Sequence, residues 1–221
     1  MPKLKAVLFD LDGTLIDSEH FHYECWVDIL KEFNAEMTYE DWTTNYAGIP
    51  LPSNCENLKE RFNMDISLDE LIAWRTRLSK EGFANRDISL MPFALDVIQY
   101  YKAQGLRLAV VTASPRVDVE LIFNRNGLAH YFEFMVTSTD VTQTKPDPEC
   151  YNLACTKLGI AKDECIVFED TVNGMRAVKA AGLTCLVVQH DETQHEKFVN
   201  ADRIFLDMEL AKQYATATYL S

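Results

Sequence analysis

Four short apolar runs punctuate the chain: Ala6-Val7-Leu8-Phe9, Leu108-Ala109-Val110-Val111, Cys165-Ile166-Val167-Phe168 and Cys185-Leu186-Val187-Val188. Each is continuous rather than alternating, the pattern of strands buried on both faces in a parallel sheet. Between them, apolar positions recur at helical spacing over about 92–104, 115–126, 148–158 and 171–181. Gly105, Gly127, Gly159 and Gly182 stand where those helices should stop. Strands alternating with helices predict an α/β core, a Rossmann-like doubly wound parallel sheet.

The stretch from about 17 to 90 contains no comparable strand run. Phe21, Trp26, Ile29, Leu30 and Phe33 fall mostly at helical spacing, and Leu68, Leu71, Ile72, Arg75 and Leu78 mark a second amphipathic segment. The expected organisation is a core of residues 1–16 and 91–221 with an inserted small helical cap domain at 17–90.

The net charge of −13 over 221 residues excludes a broad nucleic-acid or anionic-membrane footprint, because those surfaces demand clustered Lys and Arg. An anionic substrate must then be held by local positive features. No apolar run approaches the ~20 residues that span a bilayer, and the N-terminus runs straight into the first strand, so a cytoplasmic location is expected. The six cysteines form no C-x-x-C pair and read as reduced, buried small hydrophobes.

Chemistry gathers at the strand ends. In Phe9-Asp10-Leu11-Asp12-Gly13-Thr14-Leu15 a buried strand delivers acids at i and i+2, which extended backbone points to one side. Close carboxylates repel unless one is protonated or a cation sits nearby, and a hard cation such as Mg²⁺, which prefers oxygen ligands, resolves the conflict. The plainer alternative makes Asp12 an ordinary turn former. Val110-Val111-Thr112-Ala113-Ser114-Pro115 brings hydroxyls to a helix start, where free N–H groups bind phosphate. Ser114 reads either as the N-cap, with Pro115 at the first helical position, or as a ligand contact, and Thr112 is the stronger phosphate ligand. In Thr144-Lys145-Pro146-Asp147-Pro148 the following proline pins Lys145 just before a core helix, where it is a candidate to hold Asp10 and phosphoryl oxygens. Phe168-Glu169-Asp170-Thr171 again ends a strand with two acids, suited to metal, although Asp170 or Thr171 could instead cap the next helix. All four clusters end strands of one parallel sheet, so a single pocket can collect them.

With these four motifs in order, Asp10-Leu11-Asp12-Gly13-Thr14, Thr112-Ala113-Ser114, Lys145-Pro146-Asp147-Pro148 and Glu169-Asp170 with Gly174, the chain resembles the haloacid dehalogenase-like superfamily. Within it, the resemblance is to the β-phosphoglucomutase-like branch of phosphatases and phosphomutases, over the whole length. The resemblance implies a phospho-aspartate on Asp10, with Asp12 as acid and then base. It implies Mg²⁺ held by the Asp10 carboxylate, the Asp12 backbone carbonyl and Asp170, with Glu169 direct or through water. Thr112, Ala113 and Lys145 would hold the transferring phosphoryl group. The cap would close over the substrate and exclude water. His22 matches a position where relatives often carry histidine near the hinge, though it also reads as a helix-surface residue. Gly48-Ile49 resembles the cap loop that faces the active site.

The chain departs from the phosphomutase pattern at Leu51, between Pro50 and Pro52, where that enzyme carries a phosphate-gripping Arg. Arg75, Arg77 and Lys80 read either as candidates to serve instead or as solvated helix charges. The expected function is therefore a phosphatase acting on a small phosphorylated metabolite, such as a sugar phosphate, as a monomer. The alternatives are a β-phosphoglucomutase-like phosphomutase, a 2-haloacid dehalogenase, which needs no second acid, and a phospho-acceptor signalling module, which has no inserted cap.

Overall fold

The computed structural model describes residues 3–46, 49, 51–86 and 88–220. It divides the chain into two compact units, Met1–Ile16 with Ser89–Ser221, and Asp17–Ile88.

In the first unit the four apolar runs become β1 (Ala6–Phe9), β2 (Arg107–Val111), β4 (Cys165–Glu169) and β5 (Thr184–Val188). Two three-residue strands, β3 (Phe134–Val136) and β6 (Arg203–Phe205), were not expected from the sequence. They are too short to give an apolar run, and they lie at the sheet edges, where one neighbour suffices. Among the described residues all pairings in the sheet are parallel, in the order β3-β2-β1-β4-β5-β6. The sheet is doubly wound, and its chain order reverses beside β1, the place where such sheets bind ligands at the strand C-termini.

Helices α5 (Ala94–Ala103), α6 (Arg116–Asn126), α7 (Glu149–Leu158), α8 (Val172–Ala180) and α9 (Met208–Tyr219) belong to this unit. The strands split their side chains by alternation. Ala6 and Leu8 of β1, with Cys165 and Val167 of β4, share a core layer with Tyr151 and Ala154 of α7 and Met175 and Val178 of α8. Phe9 turns the other way, stacking on Phe168 at 5.2 Å and meeting Tyr101 of α5 at 6.5 Å. Leu90 forms an antiparallel bridge with Ile16, and the Met91 N–H donates to Leu15 O, so 89–90 belong with the core rather than the insertion.

After β3 a 3-10 turn, Ser138–Asp140, is tied back to α6. Asp140 accepts from Arg116 Nη2 at 2.7 and 2.8 Å and from the Thr137 N–H and hydroxyl at 2.8 and 2.7 Å. Burial works against its charge, but the Arg116 and Thr137 bonds prevail and hold its carboxyl at about 2, from an ordinary 3.8. A depressed carboxyl contributes stability that is present above the unfolded value and is lost as pH falls through the folded one. Asp140→Asn should therefore flatten the loss of stability between about pH 4 and 2 and cost on the order of 1–2 kcal/mol at neutral pH, read from urea unfolding across that range. An unchanged acid limb would refute the assignment.

The second unit comprises α1 (Ser18–Lys31), α2 (Tyr39–Asn45), α3 (Leu51–Arg61) and α4 (Leu68–Asn85). Asp17, Thr38 and Ser67 cap α1, α2 and α4, and Ser67 forms a reciprocal box with Glu70. The helices enclose their own core, including Trp26, Ile29, Leu30, Trp42, Cys55, Leu58 and Leu71.

Candidate functional site

Strand alternation continued one residue past Phe9 puts Asp10 in the layer of Ala6 and Leu8, facing α7 and α8. The Asp10 N–H donates to Phe168 O at 2.9 Å, which extends the ladder and brings Asp10 beside Glu169, the last residue of β4. Asp10 is 5% exposed and Glu169 is fully buried. Lys145, on the segment before α7, reaches between them. Its ammonium donates to Asp10 Oδ1, to Glu169 Oε1 at 2.6 Å and to Val111 O at 3.0 Å.

Burial pushes the Asp10 carboxyl up to about 8 against the pull of Lys145, with Glu169 and Asp12 adding to the rise. Burial also raises Asp170 well above the usual carboxylate range, helped by Asp10 and Glu169. Burial alone would lower Lys145, yet Asp10 and Glu169 raise it and keep it protonated. Thr171 caps α8 by accepting from the Gly174 N–H at 3.0 Å, so Asp170 is spared that role and accepts from Thr14 Oγ1 at 3.2 Å.

Asp12 behaves differently. The chain leaves extended conformation after β1, with the N–H groups of Leu15 and Ile16 both donating to Leu11 O and Gly13 at φ +79°. The acids at i and i+2 therefore do not converge on one cation as extended backbone predicts. Asp12 Oδ2 instead accepts from Ser114 Oγ at 2.6 Å and Thr112 Oγ1 at 3.2 Å. Helix α6 begins one residue later than expected, with Pro115 as the N-cap residue, and Ser114 uses its hydroxyl on Asp12 rather than as a cap. Ala113 lies exposed between Thr112 and Ser114.

Tyr151, on the first turn of α7, is a member of the cluster that sequence reading missed. Its hydroxyl donates to Glu169 Oε1 at 2.8 Å, and its ring lies 5.2 Å from the Lys145 ammonium. The available signal was a tyrosine at an apolar helical position, whose hydroxyl must find a partner when buried.

Within the helical unit, Arg75 is 4% exposed. It lies 5.5 Å over the Trp26 ring and donates from Nη2 to His22 Nδ1 at 3.0 Å and from Nη1 to Ser79. This burial corrects the reading of Arg75 as a solvated helix charge. It follows from the place of Arg75 on the apolar stripe with Leu71 and Leu78. His22 is half-buried against Phe21 and Phe83. Ile49 accepts from Asn54 Nδ2 at 3.1 Å through its carbonyl. Gly48 lies outside the described residues.

One oxygen each of Asp10, Glu169 and Asp170 fall within 4.8 Å of one another. Three carboxylates against one ammonium leave two negative charges uncompensated when all are ionised. The donors are oxygens only, and two of the carboxyls are raised by burial, which fits a hard divalent cation.

Residues 7–188 match the haloacid dehalogenase-like hydrolase family. The validoxylamine A 7'-phosphate phosphatase of Streptomyces hygroscopicus subsp. limoneus is 32% identical over 213 residues, 92% of this chain and 94% of that one. The phosphorylated carbohydrates phosphatase of Thermotoga maritima is 28% identical over 180 residues, 81% of this chain and 82% of its own. Crystal structures of CbbY from Rhodobacter sphaeroides, in complex with xylulose-(1,5)bisphosphate and with phosphate, superpose with a TM-score of 0.72 at 26% and 27% identity. They cover 91% of this chain and 93% of theirs. With a match over residues 7–188 and relatives 32% identical over nearly the whole length, the chain belongs to the haloacid dehalogenase-like hydrolase family.

Proposed function

We propose that the protein is a cytoplasmic, Mg²⁺-dependent phosphatase that hydrolyses a small sugar phosphate through a phospho-aspartate on Asp10. The observation that carries this reading is the pairing of a buried Asp10, clamped by Lys145, with a second acid, Asp12, that hydrogen-bonds hydroxyls instead of joining the acidic cluster. Two acids with different surroundings suit different roles.

An Asp10 carboxylate oxygen would attack phosphorus as the ester P–O bond breaks, and Asp12 would protonate the departing sugar oxygen. Asp12, now a carboxylate, would take a proton from the water that attacks phosphorus, and the P–O bond to Asp10 would break to release phosphate. Lys145, with Thr112 and the Ala113 loop, would hold the phosphoryl oxygens. The Asp10 and Asp170 carboxylates, with the Asp12 carbonyl and with Glu169 near, would hold Mg²⁺. Bound there, it supplies positive charge for the phosphoryl oxygens. A relative named as a phosphorylated carbohydrates phosphatase supports the substrate class.

A panel of sugar phosphates, nucleotides and other phosphomonoesters with Mg²⁺ is expected to yield phosphate from at least one sugar phosphate, with activity abolished by EDTA. No release from any substrate, or isomer formation primed by a bisphosphate without net phosphate, would overturn the reading.

A further inference from the structure

We infer that Phe93 is a substrate-contact residue: a strained turn at the C-terminal edge of the sheet holds its ring out to take the C–H face of a sugar. The inference rests on the phosphatase reading above and deepens it.

Among the described residues three that are not glycine have positive φ: Asn34 at +52°, Asn63 at +53° and Phe93 at +65°. Asparagine tolerates the left-handed region, whereas a bulky aromatic residue there is an outlier. The turn imposes it. The Ala94 N–H donates to Met91 O at 3.0 Å, closing a four-residue turn with Pro92 second and Phe93, at ψ 0°, third. This is the type II arrangement, whose third position ordinarily takes glycine. The ring recovers little of that cost by packing, since Phe93 is 46% exposed. Strain without compensating burial points to a function for the side chain.

The turn stands beside the acids. The Met91 N–H donates to Leu15 O at 2.9 Å, and Leu90 bridges Ile16, which also bridges Asp12. Leu15 follows Thr14, whose hydroxyl donates to Asp170. Phe93 is two residues beyond Met91, a span of at most about 7 Å. Its carbonyl accepts from the Val97 N–H at 3.0 Å, so α5 fixes the base of the ring. An exposed aromatic face at the edge where such sheets bind ligands suits the C–H face of a sugar ring, whose hydroxyls lie toward its rim. Leu95 is exposed too, but two positions along a helix it faces another way, so the pair makes no continuous apolar stripe. Exposed Leu206 and Leu210, around the start of α9, make a face for a second copy the rival reading.

Wild type, Phe93→Gly, Phe93→Leu and Phe93→Tyr are compared, with Mg²⁺, on the sugar phosphate that wild type hydrolyses best in the panel above and on acetyl phosphate, which has no ring. Phe93→Gly suits the turn and is expected to melt within about 3 °C of wild type. In Phe93→Gly and Phe93→Leu the ratio of kcat/KM on the sugar phosphate to that on acetyl phosphate should fall about tenfold, mainly through KM for the sugar. Phe93→Tyr keeps the ring face and should hold the ratio within about threefold. Should Phe93→Gly melt far lower, Phe93→Leu decides. An unchanged ratio in Phe93→Leu would reduce Phe93 to a part of the turn and overturn the inference. A wild-type dimer on size exclusion that Phe93→Leu dissociates would assign the ring to an interface and overturn it too. Hydrolysis of acetyl phosphate but of no sugar phosphate would overturn it and leave a phosphatase. Release of phosphate from neither would sink the phosphatase reading, and this inference with it.

Discussion

Asp10→Asn is expected to abolish phosphate release, by at least roughly a thousandfold, without unfolding the protein. The amide keeps an oxygen for Lys145 and the same shape in a site only 5% exposed, so packing gives it no reason to collapse. The charge balance favours the variant when no cation is bound. The folded carboxyl stands at about 8, above its ordinary 3.8, so the native state holds the extra proton between those values and loses stability as pH rises through them. Removing the charge removes that loss. Metal-free Asp10→Asn should therefore melt at or above the wild-type temperature at pH 7, and Mg²⁺ should raise the wild-type Tm more than that of the variant. Retention of more than a few per cent of activity, with deamidation excluded by mass spectrometry, would defeat the nucleophile assignment. A wild type stabilised by Mg²⁺ no more than the variant would defeat the metal assignment.

The second large effect is expected from one methyl group. In Gly174→Ala the new Cβ would overlap the Glu169 carboxylate, which is fully buried and accepts from Lys145, Tyr151, the Asp170 and Thr171 N–H groups and the Thr171 hydroxyl, so moving it breaks those bonds. Either α8 shifts or the anchor of Lys145 breaks, at about 3 kcal/mol or more and with loss of activity. Gly13→Ala should cost the other half of the site, because its Cβ would overlap Asp170 Oδ2 and its φ of +79° already disfavours a side chain. Gly105→Ala separates backbone from crowding. It shares a positive φ, +76°, but nothing lies within 4 Å of its Cβ, so a cost of about 1 kcal/mol with unchanged activity is expected. Denaturant unfolding and turnover of the three variants check the ranking. Gly174→Ala with wild-type stability and activity would show that Glu169 has freedom the packing denies it.

Much of the site was legible because parallel strands advertise themselves as continuous apolar runs and deliver whatever follows them to one edge. Asp10, Thr112, Glu169 and Asp170 each stand at or just past such a run, and Lys145 precedes a helix of the same alternating series. The order of motifs then carried the family. Less legible was anything that depends on which neighbour a side chain meets. Ser114 reads as a cap by type and position, yet its hydroxyl bonds Asp12, a hundred residues earlier. Arg75 carries a charge that favours solvent, and only its spacing with Leu71 and Leu78 hinted at burial.

The sequence by itself determined the strands, the helices between them and the residue types presented at the strand ends, because hydrophobic periodicity and helix caps are local properties of the chain. Tertiary structure decided the spatial order β3-β2-β1-β4-β5-β6, the two edge strands and the sorting of the acids. That sorting places Asp10 and Asp170 with an oxygen that meets no donor among the described residues, Asp12 on hydroxyls, and Glu169 on Lys145 and Tyr151. The physical reason is common to all three. A carboxylate has the same lone pairs wherever it stands in a sequence, and its role is set by the donors that folding brings within about 3 Å of them.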